Sequence, residues 1–162
     1  MSKIVVIGVG NPLLGDEGLG IAVVKRLKDE KLPVEAELVD GGTDSLDALI
    51  DSKDSKCVIV VDAIDGGVEP GTLIRLTGDE LLKTNSLPLI SLHQLGLKES
   101  LCLAELSGFD RKKLSVIGMQ PASLAPSEEL SAVVKEKMDE LINWIKEEIR
   151  RALDDTHEQK AD

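Results

Sequence analysis

Apolar positions along the chain change period several times, and each change marks an element. Ile4-Val5-Val6-Ile7 is a β-branched run ending in the closely spaced Gly8 and Gly10, which reads as a buried strand followed by a turn-rich loop. Beyond the acidic pair Asp16 and Glu17, Leu19, Val23 and Leu27 recur at helical spacing with Lys25, Arg26 and Lys28 on the other side. That pattern predicts a helix running to about Lys31, before Pro33. A second strand, Val34 to Val39, ends at Asp40-Gly41-Gly42-Thr43. A short helix from about Asp44 to Ser52 then leads to Cys57-Val58-Ile59-Val60-Val61, the most apolar run and so a predicted central strand, stopping at Asp62. Strands alternating with helices through right-handed crossovers make a parallel sheet whose strand-end loops gather along one edge. Glu17, Asp40 and Asp62 are therefore expected on one rim.

The second half departs from this rhythm. Asp65-Gly66-Gly67-Val68-Glu69-Pro70-Gly71 is turn chemistry, and the gap from Asp62 to Thr72 is too short for a helical crossover. The strand from Thr72 to Leu76 is thus predicted antiparallel. The mixed pattern between Thr77 and Leu89 allows a short helix at Asp79 to Lys83. Ser91-Leu92-His93-Gln94 matches a Ser-x-x-Gln capping box, predicting a helix that carries Leu95, Leu101, Cys102 and Leu106 inward and holds His93 in its first turn. Leu114 to Met119 reads as the last strand. Ser127 is read as opening a long helix in which Leu130, Val133, Val134, Met138, Leu141, Ile145 and Ile149 keep a helical period to about Leu153. Residues 154–162 are polar and unpatterned, so one domain over residues 1–153 with a disordered tail is expected.

Composition narrows the class. At 162 residues the chain is the size of one ordinary domain, and 42% hydrophobic residues with 1% aromatics demand a core of Val, Ile and Leu. Such a core suits parallel strands covered by helices. A net charge of −11 argues against a nucleic-acid backbone or an anionic membrane as partner. There is no apolar run long enough to span a bilayer, and Met1-Ser2-Lys3 leads into the first strand without a cleavage signal, so a cytoplasmic location is expected. Cys57 and Cys102 fit no ligand spacing and lie on apolar periodic segments, which predicts two buried thiols.

The first loop carries the candidate chemistry. A dinucleotide fingerprint needs Gly-x-Gly-x-x-Gly; Gly8 and Gly10 fit, but Leu13 stands at the third position. A pyrophosphate would also meet Asp16 and Glu17 in the first helical turn, where anion repels anion. A nucleotide-binding module with Asp40 as ribose-binding acid is thus the weaker alternative. The acidic pair suits a cation, although Asp16 as helix cap and Glu17 as complement to the dipole would explain it without one. Of the two histidines, His157 falls in the tail, so imidazole chemistry rests on His93, whose place at a helix start disfavours the imidazolium. Glu17, Asp62 and His93 on one rim supply the mixed oxygen and nitrogen set that zinc or nickel accepts. No serine sits in a Gly-x-Ser-x-Gly elbow, and neither cysteine occupies an activating loop.

Five motifs in order resemble the hydrogenase maturation endopeptidases: Gly8-Val9-Gly10-Asn11 through Gly15-Asp16-Glu17-Gly18, Asp40-Gly41-Gly42-Thr43, Val61-Asp62-Ala63, His93-Gln94-Leu95-Gly96-Leu97 and Gly118-Met119-Gln120-Pro121. The resemblance implies an aspartyl-type endopeptidase that trims a C-terminal extension from the large-subunit precursor of a nickel-iron hydrogenase after nickel insertion. It implies Glu17, Asp62 and His93 as catalytic residues and metal ligands, with Asp40, Gly41, Gly42 and Thr43 on the substrate. The nickel would come with the substrate and serve recognition, with zinc or cadmium able to substitute. The implied fold is a phosphorylase/hydrolase-like three-layer α/β/α sandwich on a five-stranded sheet, order 2-1-3-5-4 with strand 4 antiparallel. A monomer is expected. A non-catalytic nickel chaperone using the same three residues is the other reading.

Overall fold

The computed structural model describes the backbone of residues 3–43, 45–83 and 92–160, and the side chains of all of these except 92–95 and 155–160. Strands β1 (Ile4–Val9), β2 (Glu37–Gly42), β3 (Cys57–Ala63), β4 (Leu73–Thr77) and β5 (Leu114–Met119) form one sheet in the order β2-β1-β3-β5-β4. Helices α1 (Leu19–Leu27), α2 (Leu46–Asp51), α3 (Gly78–Leu82), α4 (Leu92–Leu106) and α5 (Ala132–Lys160) flank it. All neighbours pair in parallel except β4, which runs antiparallel to β5 as the short connection predicts.

The strand alternation divides the core between the two faces of the sheet. Ile4, Val6, Ile59, Val61, Ile117 and Met119 pack with α1 and α5, whereas Val5, Ile7, Val58, Val60 and Val116 pack with Leu49 of α2, Leu81 of α3 and Leu97, Leu101 and Ala104 of α4. Every residue of β1, β3 and β5 is buried, as parallel strands covered on both faces must be. The edge strands β2 and β4 are only half-buried.

Several boundaries shift for identifiable reasons. β2 lies three residues beyond the expected Val34 start because the glycine-rich end still pairs with β1: Asp40 is opposite Gly8 and Gly42 opposite Val9, with a bulge between. β3 continues through Asp62 to Ala63 because Gly118 and Met119 extend its ladder. α1 ends at Leu27, where tight turns at Asp29 and Glu30 take over the backbone bonds. α5 starts at Ala132 rather than Ser127, whose backbone is bonded to Leu13 and Gly15 instead. The helix is assigned to Lys160, beyond the end expected at about Leu153. Residues such as Glu158, Gln159 and Lys160 are strong helix formers that extend an existing helix without an apolar face. The capping box expected at Ser91 lies outside the described residues; one does occur at the start of α3, between Thr77 and Glu80. On α4 the inward row is Leu97, Leu101 and Ala104, so Cys102 and Leu106, expected inside, are rotated outward and exposed.

One buried charge ties α5 to the sheet. Glu148, 6% exposed, accepts two bonds from the Arg75 guanidinium at 2.8 and 2.9 Å and one from Ser115 Oγ at 2.6 Å. Burial pushes its carboxyl up, but the Arg75 and Ser115 hydrogen bonds and the Arg75 and Arg151 charges outweigh that and hold it below the ordinary value. A lowered folded value gives stability that is present above the unfolded value of about 4.3 and lost as pH falls through the folded one. Arg75→Ala is expected to destabilise the protein by about 2 kcal/mol at neutral pH, below the full cost of orphaning a buried charge because Ser115 and Arg151 remain. Urea denaturation checks it, and the gap to wild type should narrow at about pH 3 as Glu148 is protonated.

Candidate active site

The carboxyl ends of three parallel strands set the site. Gly8 of β1 is in register with Asp40 of β2 on one side and Val61 of β3 on the other, so Asp62 lies one residue further along the same edge. Val58 and Val60 face the α4 side of the sheet, and alternation places Asp62 on that side too.

Asp62 does not stand in an open crevice beyond its strand, as its expected position at the end of the apolar run would require. It lies within β3 opposite Gly118 and is 1% exposed. Its Oδ1 accepts the Ala63 N–H at 2.8 Å, while Oδ2 is the one buried side-chain polar atom without a partner among the described residues. Burial pushes the Asp62 carboxyl well above the usual carboxylate range, the Ala63 N–H pulls it down, and the charge of Glu17 raises it again.

The backbone of the turn that carries Glu17 packs on Gly10, beside this carboxylate. The loop after β1 closes in a 3₁₀ turn, Gly15–Gly18, which buries Glu17 to 9% exposure. Gly10 has φ +133°, and a Cβ there would lie 1.9 Å from the Glu17 carbonyl oxygen and 3.5 Å from Asp62 Oδ1. Only a residue without a side chain lets the Glu17 carbonyl pack this closely, whereas the Asp62 oxygen would be in ordinary contact with a Cβ. Two buried carboxylates on this edge, one with an oxygen that no described residue donates to, are the hard oxygen ligands a divalent cation takes.

Asp16 does not cap a helix. Gly18 occupies the N-cap of α1, with no side-chain capping bond, and Asp16 turns to the segment preceding α5. Asp40 Oδ1 accepts the Gly42 N–H at 2.9 Å, and Gly42 returns its carbonyl to Gly10 N–H at 2.8 Å, so the Asp40–Thr43 turn is fastened to the loop that carries Glu17. Thr43 is exposed and lines a cavity of about 220 Å³ with Val9, Gly96, Leu97 and Ser100. His93 is in the first turn of α4, as expected; its side chain lies outside the described residues. Leu97, one helical turn later, lines the same cavity as Val9 and Thr43 at the carboxyl ends of β1 and β2. Among the described residues no group of three or more metal-ligating side chains gathers; Glu17 and Asp62 are two.

Gln120 escaped the reading of single residues. Its Oε1 accepts the Gly66 and Val68 N–H groups at 2.8 and 3.4 Å and its Nε2 donates to Asp65 at 3.2 Å, which holds the turn after β3 against the end of β5. The available signal was a buried-length strand ending in Gln-Pro beside a glycine-rich turn.

The sequence profile of hydrogenase maturation proteases matches residues 21–148. The hydrogenase 2 maturation protease of Escherichia coli K12 is 35% identical over 154 residues, 93% of this chain and 92% of its own length. The hydrogenase expression/formation protein HupD of Rhodobacter capsulatus is 36% identical over 123 residues, 75% of this chain. The match covers 59% of that relative, so the chain spans about three-fifths of several curated relatives. Among solved structures, the hydrogenase maturating endopeptidase HybD from E. coli superposes with a TM-score of 0.79 at 33% identity, covering 93% of both chains. The [NiFe] hydrogenase maturation protease HycI from Thermococcus kodakarensis KOD1 gives a TM-score of 0.68 at 30% identity, covering 90% of this chain and 91% of that one.

The unpartnered Asp62 oxygen has a thermodynamic consequence. A folded value above the unfolded one means that the benefit of folding a neutral Asp62 is present below about pH 3.9 and lost as pH rises through the folded value. At neutral pH that benefit is diminished or gone, and burying the group costs stability. Asp62→Asn keeps the acceptor for Ala63 N–H and removes the charge, so it should raise stability by about 1–2 kcal/mol, or about 3–6 °C in Tm. Differential scanning calorimetry checks this, and a lower Tm would contradict it.

Proposed function

The chain belongs to the hydrogenase maturation protease family, and from that premise we propose that it is the endopeptidase that removes the C-terminal extension of a nickel-iron hydrogenase large-subunit precursor after nickel insertion. The observation that carries the reading is the convergence of the Glu17 loop and the buried, half-satisfied Asp62 carboxylate on Gly10. An acidic group kept out of water with an oxygen that no described residue satisfies is costly to maintain, and a bound cation would offset that cost.

In this reading the nickel is part of the substrate. Glu17 and Asp62 contribute carboxylate oxygens to it, and His93 contributes the imidazole nitrogen. Three protein ligands hold the ion while leaving positions for the precursor, which fixes the scissile peptide beside the metal. Hydrolysis adds water across that peptide bond, giving a new carboxylate on the mature subunit and an amine on the released extension. Asp40, Gly41, Gly42 and Thr43 line the approach, the precursor's chain running over the exposed Thr43 into the cavity beside α4. Among the described residues no helix is long and apolar enough to cross a membrane, and we place the reaction in the cytoplasm, carried out by a monomer. A pyrophosphate finds little room in the same loop, because Gly10 is already packed against the Glu17 carbonyl.

The test is cleavage of purified precursor, followed by mass spectrometry of its C-terminus. Wild-type protein should process nickel-loaded precursor and leave nickel-free precursor intact. Asp62→Asn and His93→Ala should each lose at least about 100-fold in rate, more than an outer-shell partner of a metal usually costs. Normal processing by both variants would refute the assignment. Retained nickel binding with no cleavage by wild-type protein would favour the chaperone reading.

A further inference from the structure

Asp16 stands next to Glu17 in the chain and is 1% exposed. All four hydrogen bonds to its carboxylate come from the segment linking β5 to α5. Oδ1 accepts Ser131 N–H at 2.7 Å, and Oδ2 accepts Ala122 N–H at 2.8 Å, Ser123 N–H at 3.1 Å and Ser131 Oγ–H at 2.8 Å. Both oxygens are acceptors, so an ionised carboxylate suits this site and an amide does not. The contact is extended by backbone bonds: Asp16 N–H to Ser123 O at 3.0 Å, Gly15 N–H to Ser127 O at 2.9 Å and Ser127 N–H to Leu13 O at 2.9 Å.

The segment 122–131 therefore forms a strap across the 3₁₀ turn that presents Glu17. On the other side of that turn the Glu17 carbonyl rests on Gly10, whose Cα also adjoins the Asp62 carboxylate. Glu17 is held between these two supports, and they have different origins. The Gly10 support follows directly on β1, whereas the strap is held by Asp16. Gly15 and Gly18 leave the turn few side chains of its own to resist movement, so the strap supplies the second fixed side.

We propose that Asp16 is a positioning residue, whose carboxylate locks residues 122–131 onto the Glu17 turn and so sets Glu17 at the separation from Asp62 that a shared divalent cation requires. This deepens, and rests on, the reading of Glu17 and Asp62 as ligands. It differs from a role in folding alone. A fold-only clamp changes the melting temperature and leaves the site intact below it, whereas a positioning clamp changes cation affinity in protein that remains fully folded.

Cadmium binding to the metal-free full chain, measured by titration calorimetry well below each variant's Tm, tests this. Asp16→Asn presents an amide N–H₂ to a donor that now has no acceptor, and should weaken cadmium binding about 10- to 100-fold, the range for outer-shell partners. Ser131→Ala removes one bond of four and should weaken it less than Asp16→Asn while keeping the same sign. Circular dichroism confirms that both are folded at the measuring temperature; if Asp16→Asn does not fold, Ser131→Ala alone decides. Glu17→Gln separates the premises. Should Glu17→Gln bind cadmium as tightly as wild type, the ligand reading fails and this inference with it. Weakened binding by Glu17→Gln together with wild-type affinity in the folded strap variants would overturn the positioning role alone.

Discussion

A carboxylate buried inside the central strand, one of whose oxygens has no donor among the described residues, is the constraint around which the rest of the site is arranged. An apolar residue at position 62 would pack against its neighbours at no such cost, since burying a charge is favourable only when partners compensate it. Gly118 lets β5 pair closely beside it, as a Cβ there would lie 1.8 Å from the Asp62 carbonyl oxygen. Gly10 does the same for the Glu17 turn. Both glycines admit a backbone carbonyl, and the charge of Glu17 is close enough to act on the Asp62 carboxyl.

The parallel sheet explains why these pieces meet. Each crossover returns the chain to the same end of the sheet, so loops far apart in sequence collect along the carboxyl edge. The Glu17 turn, the Asp40 turn and Asp62 arrive by that rule, and α4 enters beside them because its inward row fixes Leu97 against Val9. The antiparallel β4 lies at the far side of β5 and leaves this edge open. At the other end of the sheet, Arg75, Ser115 and Glu148 make a fully satisfied buried network. Asp62 contrasts with it, since among the described residues one of its buried oxygens has no partner, the pattern expected of a functional site rather than a structural one.

Much of this was legible in the sequence because the elements bury one face or both. The β-branched runs at Ile4 and Cys57 and the spacing of Leu19, Val23 and Leu27 are set by burial, and the pattern of burial is what sequence periodicity records. The short Asp62 to Thr72 connection is a chain-length argument, and it gave the antiparallel strand. Less legible were positions fixed by tertiary hydrogen bonds. Asp16 looks like a helix cap to any local reading, since its donors at Ala122, Ser123 and Ser131 are more than a hundred residues away. Ser127 looks like a helix start until its backbone is seen bonded to Leu13. On α4 Leu101 is inward as expected, but Cys102 and Leu106 are not, because the sheet selects the row Leu97, Leu101 and Ala104 over the stripe their spacing also allows.

X-ray absorption at the zinc edge of zinc-loaded protein tests the central claim most directly, that Glu17, Asp62 and His93 share one cation. One bound ion is expected with an imidazole nitrogen and two carboxylate oxygens at about 2.0–2.2 Å in its first shell. Replacing His93 with Ala should remove the imidazole scattering, and Asp62→Asn should reduce the oxygen shell. A first shell without imidazole, or one unchanged by both substitutions, would contradict a site built from these three residues.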